Sequence, residues 1–250
     1  MSQRVLITND DGIDARGLHV LAGVASRAGL DVIVAAPHQE RSGASASLTG
    51  LAEDGRLMMQ RRELRDVPGV PAFAVEASPA FIVFAASRGA FGPPPDIVLS
   101  GVNHGPNTSH AVLHSGTVGA ALTAYTRGIP AMAVSMATSK VPEHWDTAAY
   151  AAEEALRWYR RQTTPDVLNV NVPDLPLADL RGLRGATLAA LGAVQAHIGE
   201  AGEGYVTVTF SEVLDEGEPG TDVAFLTAGY ATLTLLRAPV ASEAAPPELT

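Results

Sequence analysis

Apolar residues enter this chain in short runs separated by polar loops. Val5 to Thr8 is such a run, closed by polar residues as in a strand buried on both faces, and Val32 to Ala35, ending at Pro37, is a second. Between them, Gly17 to Ala28 places its apolar residues at helical spacing, which completes a strand–helix–strand start. Ala80 to Arg88 predicts a helix, the breaker Gly92-Pro93-Pro94-Pro95 follows, and Ile97 to Leu99 predicts a strand. Thr117 to Thr126 predicts a helix rich in small residues, stopped by Gly128 and Pro130 ahead of a strand at Ala131 to Ser135. A further helix over Asp146 to Arg161 and a strand over Val167 to Val172 continue the alternation, which specifies an open, mostly parallel α/β sheet.

The pattern then changes. Tyr205 to Phe210 alternates in period two, Gly217 to Gly220 is turn-rich, and Tyr230 to Leu236 predicts another strand. These residues read as a hairpin-rich C-terminal portion projecting from the core, and Ala241 to Thr250 as a frayed tail. The expected organisation is one domain over residues 1–240, with the core to about 180, the hairpin-rich portion over about 181–240, and no internal repeat.

Composition narrows the function. With 46% hydrophobic residues in 250, the chain can fill a core. The apolar run after Arg4 is too short for a signal peptide, and Val70 to Ala86 is interrupted by Pro71, Glu76 and Pro79, so a soluble, cytoplasmic protein is expected. There is no cysteine, so a metal would be held by oxygen or imidazole, and hard cations are favoured. A net charge of −10 argues against a nucleic-acid polymer or an anionic membrane as partner. An anionic small substrate would need a local attraction, from a bound cation or a helix N-terminus.

Ligands of an open α/β sheet bind beyond the carboxyl ends of its strands, and three unusual loops fall there. Thr8-Asn9-Asp10-Asp11-Gly12 follows the first strand; its adjacent carboxylates repel each other, which a cation would offset and a solvated turn would tolerate. Pro37 to Leu48, containing Ser42 and Gly43, can offer hydroxyls and backbone N–H groups to a phosphate or metal shell, or serve as a plain small-residue loop. Ser100 to Asn107 brings the neutral oxygens of Asn103 and Asn107, and Ser115-Gly116-Thr117 opens a helix whose free N–H groups form an anion site. His104, His110 and His114 fit no familiar zinc spacing. No Gly-x-Gly-x-x-Gly follows the first strand, which disfavours a dinucleotide dehydrogenase.

Taken together, Val-Leu-Ile-Thr-Asn-Asp-Asp-Gly at 5–12, Ala-Pro-x-x-x-x-Ser-Gly at 36–43, Ser-Gly-Val-Asn-x-Gly-x-Asn at 100–107 and Ser-Gly-Thr-Val-Gly-Ala-Ala at 115–121 resemble the survival protein E (SurE) family. Gly128 to Ala131, Leu168 to Pro173, Gly220-Thr221-Asp222 and Gly229-Tyr230 extend the likeness. The resemblance implies a Rossmann-like three-layer α/β/α core with a C-terminal hairpin exchanged between subunits of a homodimer or homotetramer. It implies a metal-dependent 5'-nucleotidase or related phosphatase that hydrolyses small phosphate esters. Carried over by position, Asp10, Asp11, Ser42 and Asn103 match the family's ligands for one divalent cation per subunit, Mg²⁺ or Mn²⁺. Asn9, Asn107, Ser115, Gly116 and Thr117 match its polar and phosphate-binding shell. Departures fall in the leaving-group pocket: His114 stands where the family usually has tyrosine, Ala77 to Ile82 and the region of Ala46 differ, and Thr187 to His197 lacks an arginine-rich pattern.

The mechanism expected from this set is in-line attack by water activated at a cation, with Asn9 and Asn107 orienting the phosphate and His114 protonating the leaving alkoxide. A direct Asp10 nucleophile ranks lower, because a carboxylate engaged by a cation is a weak one. Two other classes remain: a metal-dependent nucleotide-sugar transferase, which needs an acceptor site, and a non-catalytic nucleotide or sugar-phosphate binder.

Overall fold

The computed structural model describes residues 2–50, 52, 54–138, 140–163, 166–190, 194–212 and 218–239. Gly217 of the expected turn and the expected tail at 241–250 lie outside these. The core strands are β1 (Arg4–Thr8), β2 (Asp31–Pro37), β4 (Ala72–Val75), β5 (Ile97–His104), β6 (Ala131–Ala137) and β7 (Val167–Pro173), with β3 (Met59–Arg62) between β2 and β4 in the chain. The helices among them are α1 (Arg16–Arg27), α2 (Pro79–Ala86), α3 (Gly116–Tyr125) and α4 (Trp145–Tyr159). Beyond β7 come β8 (Leu183–Gly185), the pair β9 (Val194–Gly202) and β10 (Tyr205–Glu212), α5 (Asp222–Thr227) and β11 (Ala231–Leu236).

Nine strands form one sheet in the order β3-β4-β2-β1-β5-β6-β7-β11-β8. β4, β2, β1, β5, β6 and β7 run parallel, whereas β3 and β11 pair antiparallel with β4 and β7, and β8 follows β11. The sheet is thus mixed and mostly parallel. β9 and β10 form a separate antiparallel hairpin, the expected C-terminal feature.

Within β1 the side chains alternate, as period two requires. Val5 and Ile7 join a core layer with Leu18, Leu21, Ala148, Ala151 and Leu156 of α1 and α4, and Leu6 joins Ile82, Val83, Val118 and Ala121 of α2 and α3. All three β1 residues are fully buried, which explains why the strand reads as an unbroken apolar run. Ser78 caps α2, accepting the Phe81 N–H at 3.4 Å, and Pro79 fills the first helical position, where no N–H is needed.

α1 carries the chain from β1 to β2, and α4, on the same face, carries it the opposite way across the sheet, from β6 to β7. The two crossovers are therefore of opposite hand. Those through α2 and α3, on the other face and running the same way as that through α4, share the hand of the α1 crossover, so α4 makes the rare left-handed connection. The chain moves from β1 outward to β2 and returns to β5 on β1's other side. The carboxyl ends of β1 and β5 thus flank the point where strand order reverses, and a crevice opens there.

Among the described residues no helix is long and apolar enough to cross a membrane.

Candidate active site

The loop leaving β1 is pinned by Asn9. Its amide nitrogen donates to the Gly12 carbonyl at 3.0 Å and its Oδ1 accepts the Gly12 N–H at 3.2 Å, with the side chain fully buried. Asn9 therefore shapes the loop that carries the two aspartates.

Asp10 is 4% exposed and lies against the start of α3. Its carboxylate accepts the Thr117 hydroxyl, and the nearby backbone N–H groups of Gly116 and Thr117 favour its charged form. A Cβ on residue 116 would stand 2.6 Å from Asp10 Oδ2, so only glycine lets the two approach. The helix N-terminus expected to bind phosphate thus grips the protein's own carboxylate, and Ser115 is engaged as N-cap, accepting the Val118 N–H at 3.0 Å. Ser115, Gly116 and Thr117 therefore lie at the start of α3, where the sequence places them, the last two against Asp10.

Burial raises the Asp10 pKa despite these donors. Burial, then the neighbouring Asp10 charge, pushes Asp11 up to about 6, with Glu40 adding to the rise and the His104 N–H, 3.1 Å away, opposing it. Among the described residues neither aspartate is in a salt bridge. Two adjacent, desolvated carboxylates that no described salt bridge neutralises are costly alone and suited to a divalent cation.

Neutral oxygens stand beside them. β5 and β6 shift register between Ser100 and Asn103, and Gly101, at φ +128°, packs so closely that a Cβ would lie 2.1 Å from the Val134 carbonyl. This bulge carries Asn103 to the crevice. The Asn103 amide nitrogen donates to the Gly105 carbonyl at 2.8 Å, leaving Oδ1 for a ligand. The loop after β2 is tied in by the Arg41 N–H, 2.7 Å from the Asp10 carbonyl oxygen, and lies directly on α3, where a Cβ at Gly119 would come within 2.4 Å of Ser45 O. Exposed Ser42, donating to Glu40 Oε1 at 2.8 Å, sits on that loop beside exposed Gly43.

Ser42 borders two cavities. One, of about 310 Å³, includes Asp11, Glu40, Ser42 and His104. The other, of about 540 Å³, includes Arg41, Ser42, Gly43, Thr49 and Ser78. Among the described residues no three His, Asp or Glu side chains converge on a common point. An all-oxygen, partly neutral donor set drawn from the two aspartates, Ser42 and Asn103 would suit a hard divalent cation.

Asn107 lies deeper. Its N–H donates to Asn171 Oδ1, its side chain to Ser135 Oγ, and its carbonyl accepts both Asn169 and Asn171, all at 2.8–2.9 Å. Fully buried Asp222 accepts the N–H groups of Ser109, Ala189 and Val223, holding the 3-10 turn Ser109–His114 to the C-terminal segment. The positioning roles of Asn169, Asn171, Ser135 and Asp222 were not foreseen. For Asn169 and Asn171 the signal was polar residues in alternation within an apolar strand, Leu168 to Val172. His114 is exposed at the end of the turn, whereas His104 lines the smaller cavity.

Fold and site define an open-sheet α/β protein with an acidic, oxygen-lined ligand site at its switch point. The chain belongs to the SurE family: the survival protein SurE model matches residues 5–195. It is 37% identical over 238 residues to the 5'-nucleotidase SurE of Stenotrophomonas maltophilia, covering 92% of this chain and 88% of that one. It is 38% identical over 239 residues to the 5'/3'-nucleotidase SurE of Proteus mirabilis, covering 93% and 89%. The crystal structure of the SurE protein from Aquifex aeolicus superposes with a TM-score of 0.75 at 27% identity, covering 94% of this chain and 93% of that one.

Proposed function

We propose that this chain is a divalent-metal-dependent phosphomonoesterase that releases inorganic phosphate from nucleoside monophosphates or related small esters. The observation that carries the reading is the adjacent carboxylates of buried Asp10 and half-buried Asp11, both with raised pKa and, among the described residues, neither in a salt bridge, with Ser42 lining the same cavity as Asp11. Family membership and the nucleotidase names of its relatives agree with it.

Asp10, Asp11, Ser42 and Asn103 would hold one Mg²⁺ or Mn²⁺ per subunit. When bound, such a cation supplies Lewis acidity toward a phosphate oxygen and lowers the pKa of water. The remaining work falls to the chain. Thr117 and the first N–H groups of α3 fix the Asp10 carboxylate, and Asn9 fixes the turn that presents both aspartates. Ser42 and the Gly43 amide would bind phosphate oxygens from the loop after β2, with Asn107 behind them stiffening the opposite wall. His114 would protonate the leaving alkoxide from the rim of the site. The hairpin β9–β10, with Ile198, Tyr205, Val206 and Val208 exposed, would be exchanged with a second copy of the chain, and residues 1–240 would fold as one unit.

Phosphate release from a panel of nucleoside, sugar and aryl phosphates, with Mg²⁺, Mn²⁺ or chelator, tests the reading. Chelator-sensitive release from at least one ester is expected, and none from any would overturn it. In the same panel, His114→Ala should slow alkyl esters about 10²-fold and spare p-nitrophenyl phosphate, whose leaving group needs no proton; unchanged alkyl rates would remove His114 from the mechanism.

A further inference from the structure

We propose that Trp145 is the platform for the leaving group, selecting phosphate esters whose alcohol carries a flat aromatic ring such as a nucleobase. The inference rests on the phosphatase reading of the same site. The cavity of about 310 Å³ that holds Asp11, Ser42 and His104 also has Arg16 and Trp145 in its wall. A phosphate at the acidic end would therefore leave its alcohol facing the indole. The volume lies at the lower end of the roughly 300–1,000 Å³ typical of small-molecule sites, room for one compact ligand.

Trp145 is held in place without being fully enclosed. It opens α4, whose buried face is made instead by Thr147, Ala148, Ala151, Ala152, Ala155 and Leu156. One edge of its six-membered ring abuts α1, where a Cβ on Gly17 would come within 3.1 Å. The Arg16 guanidinium lies over one face of the ring, 5.8 Å from its centroid, where both residues also border a second cavity with His19 and Asp66. The backbone on either side is anchored. His144 donates its N–H to Asp174 Oδ1 at 2.9 Å, and the Thr147 hydroxyl donates to the Leu175 carbonyl at 2.7 Å. An indole fixed in this way loses little freedom when a ring stacks on it, and stacking is indifferent to the exact base. Arg16 is a flexible side chain whose guanidinium can share or yield the face. Trp145 also packs against the core layer beneath α1 and α4. A purely structural role would weaken turnover of every ester alike, whereas a platform discriminates between esters with and without a ring.

Adenosine 5'-monophosphate and ribose 5-phosphate share phosphate and sugar and differ in the base. For Trp145→Ala, the ratio of kcat/KM for the first over the second should fall roughly 10- to 100-fold through KM, the scale of one base stack. Trp145→Phe should recover most of that preference. A ratio unchanged in Trp145→Ala, including equal loss on both esters, overturns the inference while leaving the phosphatase reading intact. A wild-type chain that releases phosphate from neither ester, nor from any other in the wider panel, overturns both.

Discussion

Asp11 holds its proton to about pH 6 in the fold, whereas an unfolded aspartate releases it near 4. Its folded pKa is raised, so its favourable contribution is complete below about pH 4 and is lost as pH rises through about 6. In chelated protein at pH 7 the ionised side chain is thus a net strain on the fold. Asp11→Asn should raise Tm there by a few degrees, of the order expected for about 1 kcal/mol, and change it little at pH 4. Saturating Mn²⁺ should reverse the order at pH 7 by stabilising wild type alone. Equal Tm values for the two chelated proteins at pH 7 would contradict this. At this scale both aspartates, Ser42 and Asn103 were visible as candidates, because paired acids and loop asparagines after strands stand out as such. That Asn9 bonds to Gly12 and that Ser115 caps α3 was not visible, because a hydrogen-bonding side chain reads the same whether its partner is a ligand or its own backbone.

At the scale of elements, three local departures bring the site together. A register shift in β5 carries Asn103 to the crevice, Gly116 admits Asp10 to the N-terminus of α3, and Gly119 lets the Ser42 loop lie on the same helix. The buried strands and amphipathic α1 and α4 were legible because their periodicity is imposed by burial on known faces. β3, β4 and β8, with three or four residues each, and the six-residue α5 are too short for a period to register. The β9–β10 hairpin was legible only in part: Tyr205 to Phe210 alternates, whereas the glycines of β9 interrupt its pattern. Its exposed Ile198, Tyr205, Val206 and Val208 need cover, and exchange with a second copy would supply it. A chain with residues 194–212 replaced by a short Gly-Ser linker should therefore run as a monomer in light scattering where the full chain runs as a dimer or tetramer; an unchanged mass would contradict the exchange.

At the scale of the molecule, a net charge of −10 repels the anionic substrate that the reading requires. The resolution lies at the point where strand order reverses, where a cation held by Asp10 and Asp11 would invert the local field. The open α/β sheet was readable from the alternation of runs and helices, whereas the order of its strands and the left-handed crossover through α4 depend on tertiary packing that no local pattern encodes. If catalysis passes through a cation held on the Asp10–Asp11 pair, phosphate release from adenosine 5'-monophosphate with saturating Mn²⁺ will distinguish wild type from Asp10→Asn of unchanged circular dichroism. Wild-type release should be abolished by chelator, and the Asp10→Asn rate should be lower by about 10²-fold or more. Full activity in Asp10→Asn, or wild-type turnover indifferent to chelator, would contradict catalysis through such a cation.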